Sequence, residues 1–291
     1  GAVYVYEREA DGWAQRTVLR EPSGGRFGAA LLLRGDRLFV GNPGDSTGAR
    51  GAGSTFVYER AAGGWTRKHT LRAARPVAGE WLGSALALAG DTLLNGATGP
   101  APQGSGRVLV FREVDDDWRE QQTLTPEPAE LGSFFGTSIA VHGDDLVVGA
   151  FNGTVGLTGG LAYVYQRDGS GTFVQRAVLR PSNTRAGDFF ASGIALAGTT
   201  LAIGASQESS AAGGIGTPAT GALDRSGALY LFDGAGGAYR QSLQIKSEAP
   251  RVLEEFGRNV VVSGDAMFVS ASADPDRDGK SGDSGAVYVF R

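Results

Sequence analysis

The sequence predicts an all-β chain, a β-propeller of four-stranded antiparallel blades in five repeats. Three observations carry that expectation. Apolar segments return in a fixed order at steps of 52, 53, 54, 67 and 58 residues. Each segment alternates or runs apolar over a strand's length and is rich in Val, Leu, Tyr and Phe, which is strand rather than helix chemistry. Glycine supplies 47 of the 291 residues, well above the usual share of roughly 7%. These glycines stand beside the apolar runs, as turns between many short strands require.

The opening strand "GAVYVY" at Gly1 returns as "GSTFVY" at Gly53, "GRVLVF" at Gly106, "GLAYVY" at Gly160, "GALYLF" at Gly227 and "GAVYVF" at Gly285. An aromatic-led strand follows it: "WAQRTVL" from Trp13, "WTRKHTL" from Trp65, "WREQQTL" from Trp118, "FVQRAVL" from Phe173 and "YRQSLQI" from Tyr239. A Phe-Gly type segment comes third, beginning at Phe27, Leu82, Phe135, Phe190 and Phe256. A short strand near a Gly-Ala pair comes last, as in "DLVVGAF". Gly35–Asp36, Gly90–Asp91, Gly143–Asp144 and Gly264–Asp265 join the last two, as tight hairpin turns with φ > 0 do, and Gly198–Thr199 takes that place in the fourth unit. No amphipathic helical pattern of useful length is present. One such sheet cannot bury both its faces, but sheets stacked radially do. A β-helix needs a period of about 20–30 residues, and a sandwich has no reason to repeat. A single domain over 1–291 is therefore expected.

The two ends carry nearly the same strand. Gly1–Tyr6 is expected as the third strand of a blade that "FGRNVVVSGD" and "AMFVSAS" begin, with "WAQRTVL" as its outer strand. Five blades are preferred, but the repeats hold one strand too many for a closed five-bladed ring. Either one copy lies at an apolar edge open to pairing with another chain, or the chain is a segment of a six- or seven-bladed propeller.

The formal net charge of −4 argues against a nucleic-acid surface or a polybasic membrane patch. Cysteine is absent, so no disulfide, thiolate nucleophile or Cys-based metal site is expected. No apolar stretch approaches the roughly 18–20 residues of a membrane helix. No signal peptide is visible, and because the chain begins inside a strand pattern, any N-terminal segment is expected to have been removed.

The pattern "FG…GD.L.VG", followed by "SGAVYVF", resembles the FG-GAP repeat, the blade unit of integrin α-chain heads and of many bacterial surface proteins. The bacterial subtype, with its "W…Q.L" strand, is the most similar. The resemblance covers essentially the whole chain, with departures: Leu82 replaces the Phe and Ala191 the Gly of the pair, and only Val40–Pro43 keeps the proline. It implies an extracellular or cell-surface, secreted module that binds ligands or adheres, with calcium in blade loops, and not an enzyme.

Asp274, Asp276 and Asp278 stand at positions 1, 3 and 5 before Gly279. That spacing directs several hard oxygens at one centre, and the Gly allows a sharp turn. Asp283 is the fourth acid, one residue later than FG-GAP calcium loops place it. These four are the candidate ligands of one Ca2+, against a plain solvated turn. Arg34–Gly35–Asp36 spells RGD but falls on the recurring hairpin turn. His69 and His142 lie on unrelated strands, and no Ser-His-Asp, HExxH, Walker or dinucleotide motif occurs.

The residue before each Phe-Gly pair varies: Arg26, Trp81, Phe134, Phe189, Glu255. Trp81, Phe134 and Phe189 are candidate ligand-binding residues that would stack on a sugar or peptide, against core packing. The long connection of residues 206–226 is a second contact candidate, against a merely flexible loop. The favoured function is a non-catalytic recognition or adhesion module with a protein or glycan partner. The alternatives are a structural spacer or assembly domain, and a propeller-type hydrolase of glycans or phosphoesters. The almost wholly apolar inner strands count against the hydrolase.

Overall fold

The computed structural model describes residues 1–22, 24–99, 104–151, 159–272 and 285–291. They are all-β, with no helix among them. Contacts group the chain into two compact units, Gly1–Thr125 and Pro126–Arg291.

The first unit opens with a hairpin of β1 (Ala2–Glu9) and β2 (Gly12–Arg20). A sheet of β3 (Leu31–Arg34), β4 (Arg37–Asn42), β5 (Ser54–Ala61) and β6 (Gly64–Leu71) follows. A second holds β7 (Leu82–Ala89), β8 (Thr92–Ala97), β9 (Arg107–Val114) and β10 (Asp117–Leu124). The second unit repeats the plan with β11 (Ile139–His142), β12 (Asp145–Ala150), β13 (Leu161–Arg167) and β14 (Phe173–Leu179). Next come β15 (Phe190–Ala197), β16 (Thr200–Ala205), β17 (Ala228–Ala235) and β18 (Ala238–Ile245). Its last sheet has three strands, β19 (Phe256–Ser263), β20 (Ala266–Ala271) and β21 (Ala286–Phe290). Every pairing within these sheets is antiparallel and follows chain order, which is the propeller blade read from the sequence. The hairpin turns at Gly35, Gly90, Gly143, Gly198 and Gly264 have φ between 57° and 63°, the left-handed backbone that glycine adopts at least cost.

One contact recurs in four of the sheets. The Phe of the Phe-Gly pair lies against two rings of the third strand, two residues apart and so on one face. Phe27 meets Phe56 and Tyr58, Phe135 meets Tyr163 and Tyr165, Phe190 meets Tyr230 and Phe232, and Phe256 meets Tyr288 and Phe290. Their ring centroids lie 5.2–6.4 Å apart, tilted or edge-on, the favoured aromatic geometry. In the remaining sheet Leu82 clusters with Leu109 and Phe111. The same repeat thus loses its Phe and its facing ring together, and the core stays filled.

Within each unit, one sheet is stitched to the next through the same segment. The N–H of Leu82 donates to Ala52 O (2.9 Å), that of Phe190 to Gly159 O (2.7 Å) and that of Phe256 to Ser226 O (3.1 Å). The glycine of the Phe-Gly pair then meets a glycine of the preceding sheet, Gly83 against Gly41 and Gly257 against Gly204. A methyl on Gly204 would fall on the carbonyl oxygen of Gly257, well inside contact. Ala191 breaks the motif on one side only, because its partner Gly149 is still glycine.

The terminal strands differ from expectation. The third place beside β20 belongs to β21, and β1 pairs with β2 alone. Val3 is 5% exposed and packs with Phe27, Leu38 and Val40, whereas Val287 is 65% exposed. The two near-identical strands therefore occupy different environments. The connection of residues 206–226 is partly tied down: Ile215 pairs antiparallel with Ile245, and Gly214 and Gly216 exchange backbone bonds with residues 244–247.

Two glycine substitutions separate close approach from turn geometry. Gly204→Ala is expected to cost about 3 kcal/mol, an overpacking cost. Gly264→Ala, whose methyl would meet open space, is expected to cost about 1 kcal/mol from the left-handed φ alone. Equal losses in urea unfolding would refute the close-approach account.

Candidate functional site

The residue before the Phe-Gly pair has left-handed backbone in four repeats: Trp81 (φ 61°), Phe134 (53°), Phe189 (54°) and Glu255 (52°). For bulky residues this conformation is sparsely populated and stored strain. It persists because a turn on either side fixes it. Ahead of it, Glu80 accepts the Val77 N–H (3.2 Å), Asp188 that of Arg185 (2.6 Å) and Glu254 that of Arg251 (2.9 Å). Behind it, the Phe134 and Phe189 carbonyls accept the N–H groups of Thr137 and Ser192, both at 3.2 Å. The acids are buried. Sequence reasoning missed them, although an acid recurs two residues before the pair at Glu80, Asp188 and Glu254.

Two of the three aromatic candidates come together. Phe134 stacks on Phe151 with centroids 5.3 Å apart and planes 7° from parallel, and Phe151 meets Phe189 at 5.1 Å and 50°. All three rings are half-buried, so neither full core packing nor full display describes them. Phe151, which ends "VGAF", was not singled out in the sequence. Trp81 belongs to the first unit, is 37% exposed and lies over Gly51. Glu255 is a charge node instead of a ligand position. It bonds Arg225, Arg258 and Ser272, and although burial works upward, these partners hold its carboxyl below the ordinary value.

A buried ion pair, Lys246 with Glu208, also lies in the second unit. Lys246 Nζ donates to Glu208 Oε2 (2.5 Å), Ser226 Oγ (2.9 Å) and the Gly227 carbonyl (2.7 Å). Glu208 also accepts the Ser210 N–H and hydroxyl, both at 3.0 Å. All three ammonium protons are engaged, so the cluster anchors the inserted connection and offers no proton or nucleophile. Burial lowers the Lys246 pKa against the pull of Glu208. In the first unit Asp45 plays the same part with Arg72 (2.9 Å). Asp188, near the Lys246 cluster, is pushed up to about 6, chiefly by burial.

The calcium candidates Asp274, Asp276, Asp278 and Asp283 lie outside the described residues. Among the described residues no group of three or more His, Cys, Asp or Glu gathers at one centre. Arg34 and Asp36 are exposed around the Gly35 turn, as the hairpin reading requires. His69 lies on β6 opposite Val57, and His142 lies on β11 opposite Asp145 across the Gly143 turn.

The profile of the FG-GAP repeat matches residues 118–165, 173–232 and 252–290, just over half of the chain. The chain belongs to the FG-GAP repeat family. Its Phe-Gly segments, aromatic third strands and Gly-Ala strands are the FG-GAP elements described above. No curated protein sequence matches. The solved structure of YjhT aligns over 100% of this chain and 91% of its own, with a TM-score of 0.50 at 13% identity. At that identity the likeness concerns the fold alone.

Because the Asp188 carboxyl is raised above its ordinary 3.8, its folded state favours the proton. Its contribution to stability is full below about pH 4 and is lost as pH rises through 6, about 3 kcal/mol in all. Asp188→Asn keeps an oxygen for the Arg185 N–H and removes this loss. The melting temperature of the variant is expected to gain on that of the parent between pH 4 and 7. Parallel pH profiles would show that Asp188 is not raised.

Proposed function

We propose that this FG-GAP propeller chain is a non-catalytic recognition module, extracellular or on a cell surface, that presents its loops to a protein or glycan. The observation that carries the reading is the Phe134–Phe151–Phe189 trio. Two of its rings stand on strained left-handed backbone, which a merely structural position would relieve by taking glycine. Half-buried, mutually stacked rings form a rigid face on which a sugar ring or an apolar peptide side chain stacks at little entropic cost. Trp81 offers a separate single ring in the first unit. Buried Asp188 fixes the turn that carries Phe189, and buried Glu80 the turn that carries Trp81.

One calcium, held by Asp274, Asp276, Asp278 and Asp283, belongs to the same proposal and rests on their spacing. Its test is thermal unfolding. EDTA is expected to lower the melting temperature of the unaltered chain, and Asp276→Ala to lower it only when calcium is present. An EDTA-insensitive melting temperature removes the calcium.

Binding is tested on glycan arrays and on whole cells. Phe134→Ala with Phe189→Ala is expected to reduce binding by about tenfold or more, as loss of stacking contacts does. Binding that survives the pair of substitutions refutes the aromatic site, and a chain that binds neither glycans nor cells is a spacer. Turnover of a glycan or phosphoester would instead favour the hydrolase.

A further inference from the structure

Trp81 stands between two complete four-stranded sheets of the first unit, β3–β6 and β7–β10. Two loops frame it. Residues 43–53 join β4 to β5, and residues 72–81 join β6 to β7. The charged residues of these loops are Arg50, Arg72 and Arg75 against Asp45 and Glu80. Both acids are buried and each is spent on an arginine, Asp45 on Arg72 (2.9 Å) and Glu80 on Arg107 of β9. Arg50 and Arg75 are exposed. Among the described residues, neither guanidinium has an acid or a hydrogen-bond partner, and the indole N–H of Trp81 has none either.

The backbone brings these groups to one place. The Gly79 N–H donates to the Arg50 carbonyl (2.8 Å) and the Trp81 N–H to that of Gly51 (3.1 Å). The pyrrole edge of the indole lies over Gly51, where an added methyl would stand 3.8 Å from both Cδ1 and Nε1. Pro76, next to Arg75, lies 3.4 Å from where a methyl on Gly48 would be. The first loop is closed on itself. The N–H groups of Thr47, Gly51, Ala52 and Gly53 bond Asp45 Oδ1, Ser46 Oγ, the Ala49 carbonyl and the Asp45 carbonyl at 2.9–3.1 Å. These amides therefore offer no ladder to an added strand. What remains outward is a set of donors, two guanidinium groups and an indole N–H. Acids of the same two sheets gather at the opposite end, in the hairpin turns at Asp36, Asp91, Asp115 and Asp116. The positive charge beside Trp81 is thus local, on a chain whose net charge is −4.

We infer that Trp81, Arg50 and Arg75 bind a sugar that carries an anionic group, a carboxylate or a sulfate. The sugar ring lies on the indole face and the indole N–H donates to one of its hydroxyls. The arginines take the anionic group, whose oxygens match the planar fork of a guanidinium. An acidic peptide would share the charge, but it would find the loop amides already spent. Because Arg50 sits on a loop closed by its own hydrogen bonds, little backbone ordering is lost on binding. The inference rests on the recognition reading and names the ligand class at Trp81. It does not depend on the Phe134–Phe151–Phe189 face.

The probes are tetrasaccharides of galacturonate and of sulfated galactose, titrated into the intact chain by calorimetry. At least one is expected to saturate and to bind about tenfold or more tighter than a neutral galactose tetrasaccharide. Which of the two binds identifies the anion. Its binding is expected to weaken as salt rises. Arg50→Ala and Arg75→Ala are each expected to weaken it about fivefold, one charge-assisted contact at an exposed site. Trp81→Ala is expected to weaken it about tenfold, through the lost stacking face. Should Trp81→Ala unfold, the two arginine variants, whose side chains touch no described partner, read the same site. Four results would overturn the inference: neither probe saturates, the neutral sugar binds equally, the arginine variants bind unchanged, or tetraglutamate binds as tightly. The last would make an acidic peptide the ligand. Glycans or cells that bind through Phe134 and Phe189 while both probes fail would keep the recognition reading and remove this one.

Discussion

A phenylalanine laid against two rings of the same sheet's third strand is the contact on which the rest of this structure depends. It fills the space beside the innermost strand. At Phe190 and Phe256 it also fixes the level at which that strand starts, because the residue's own N–H is committed to the preceding sheet's backbone. Where the next residue is Gly83 or Gly257, it passes a second glycine at a distance that admits no side chain between them. Side-chain packing, a backbone hydrogen bond and a steric limit thus meet within two residues. Repeat architectures depend on such nearest-neighbour terms, and here most of the neighbour term is concentrated in the Phe-Gly pair.

The candidate site follows from the same constraint. In four of the five repeats the residue before the Phe-Gly position takes a left-handed turn. A buried acid two residues ahead of the pair locks that turn through a backbone N–H in three repeats. What stands at the released position is free to vary, and it is Trp, Phe, Phe or a buried Glu in the four left-handed cases. In the third and fourth repeats the rings find Phe151 between them.

Much of the fold was legible in the sequence because it repeats. The Gly-Asp turns, the four strands of each repeat and the Phe-Gly frame were read in order and are found in that order. The spacing alone did not reveal why "FG" and "Y.F" travel together, yet Leu82 with Leu109 shows the two are one packing unit. The terminal assignment went wrong for a physical reason. "GAVYVY" and "GAVYVF" have the same local chemistry, and only the surroundings of Val3 and Val287 separate them. Of the candidate site, Phe134 and Phe189 were legible as variable positions on a constant scaffold. Phe151 was not, because a ring at the end of "VGAF" reads as a lapsed proline. Nor was the Glu208–Lys246 pair, because its partners lie 38 residues apart in the chain and no periodicity joins them.

The account's central claim is that the Phe-Gly phenylalanine and the third-strand rings form one energetic unit. A double-mutant cycle on Phe190→Leu and Phe232→Leu, followed by urea unfolding, tests it most directly, because neither ring carries a hydroxyl. The account predicts a coupling energy of about 1 kcal/mol between the two, beyond their separate losses. Losses that simply add would contradict it.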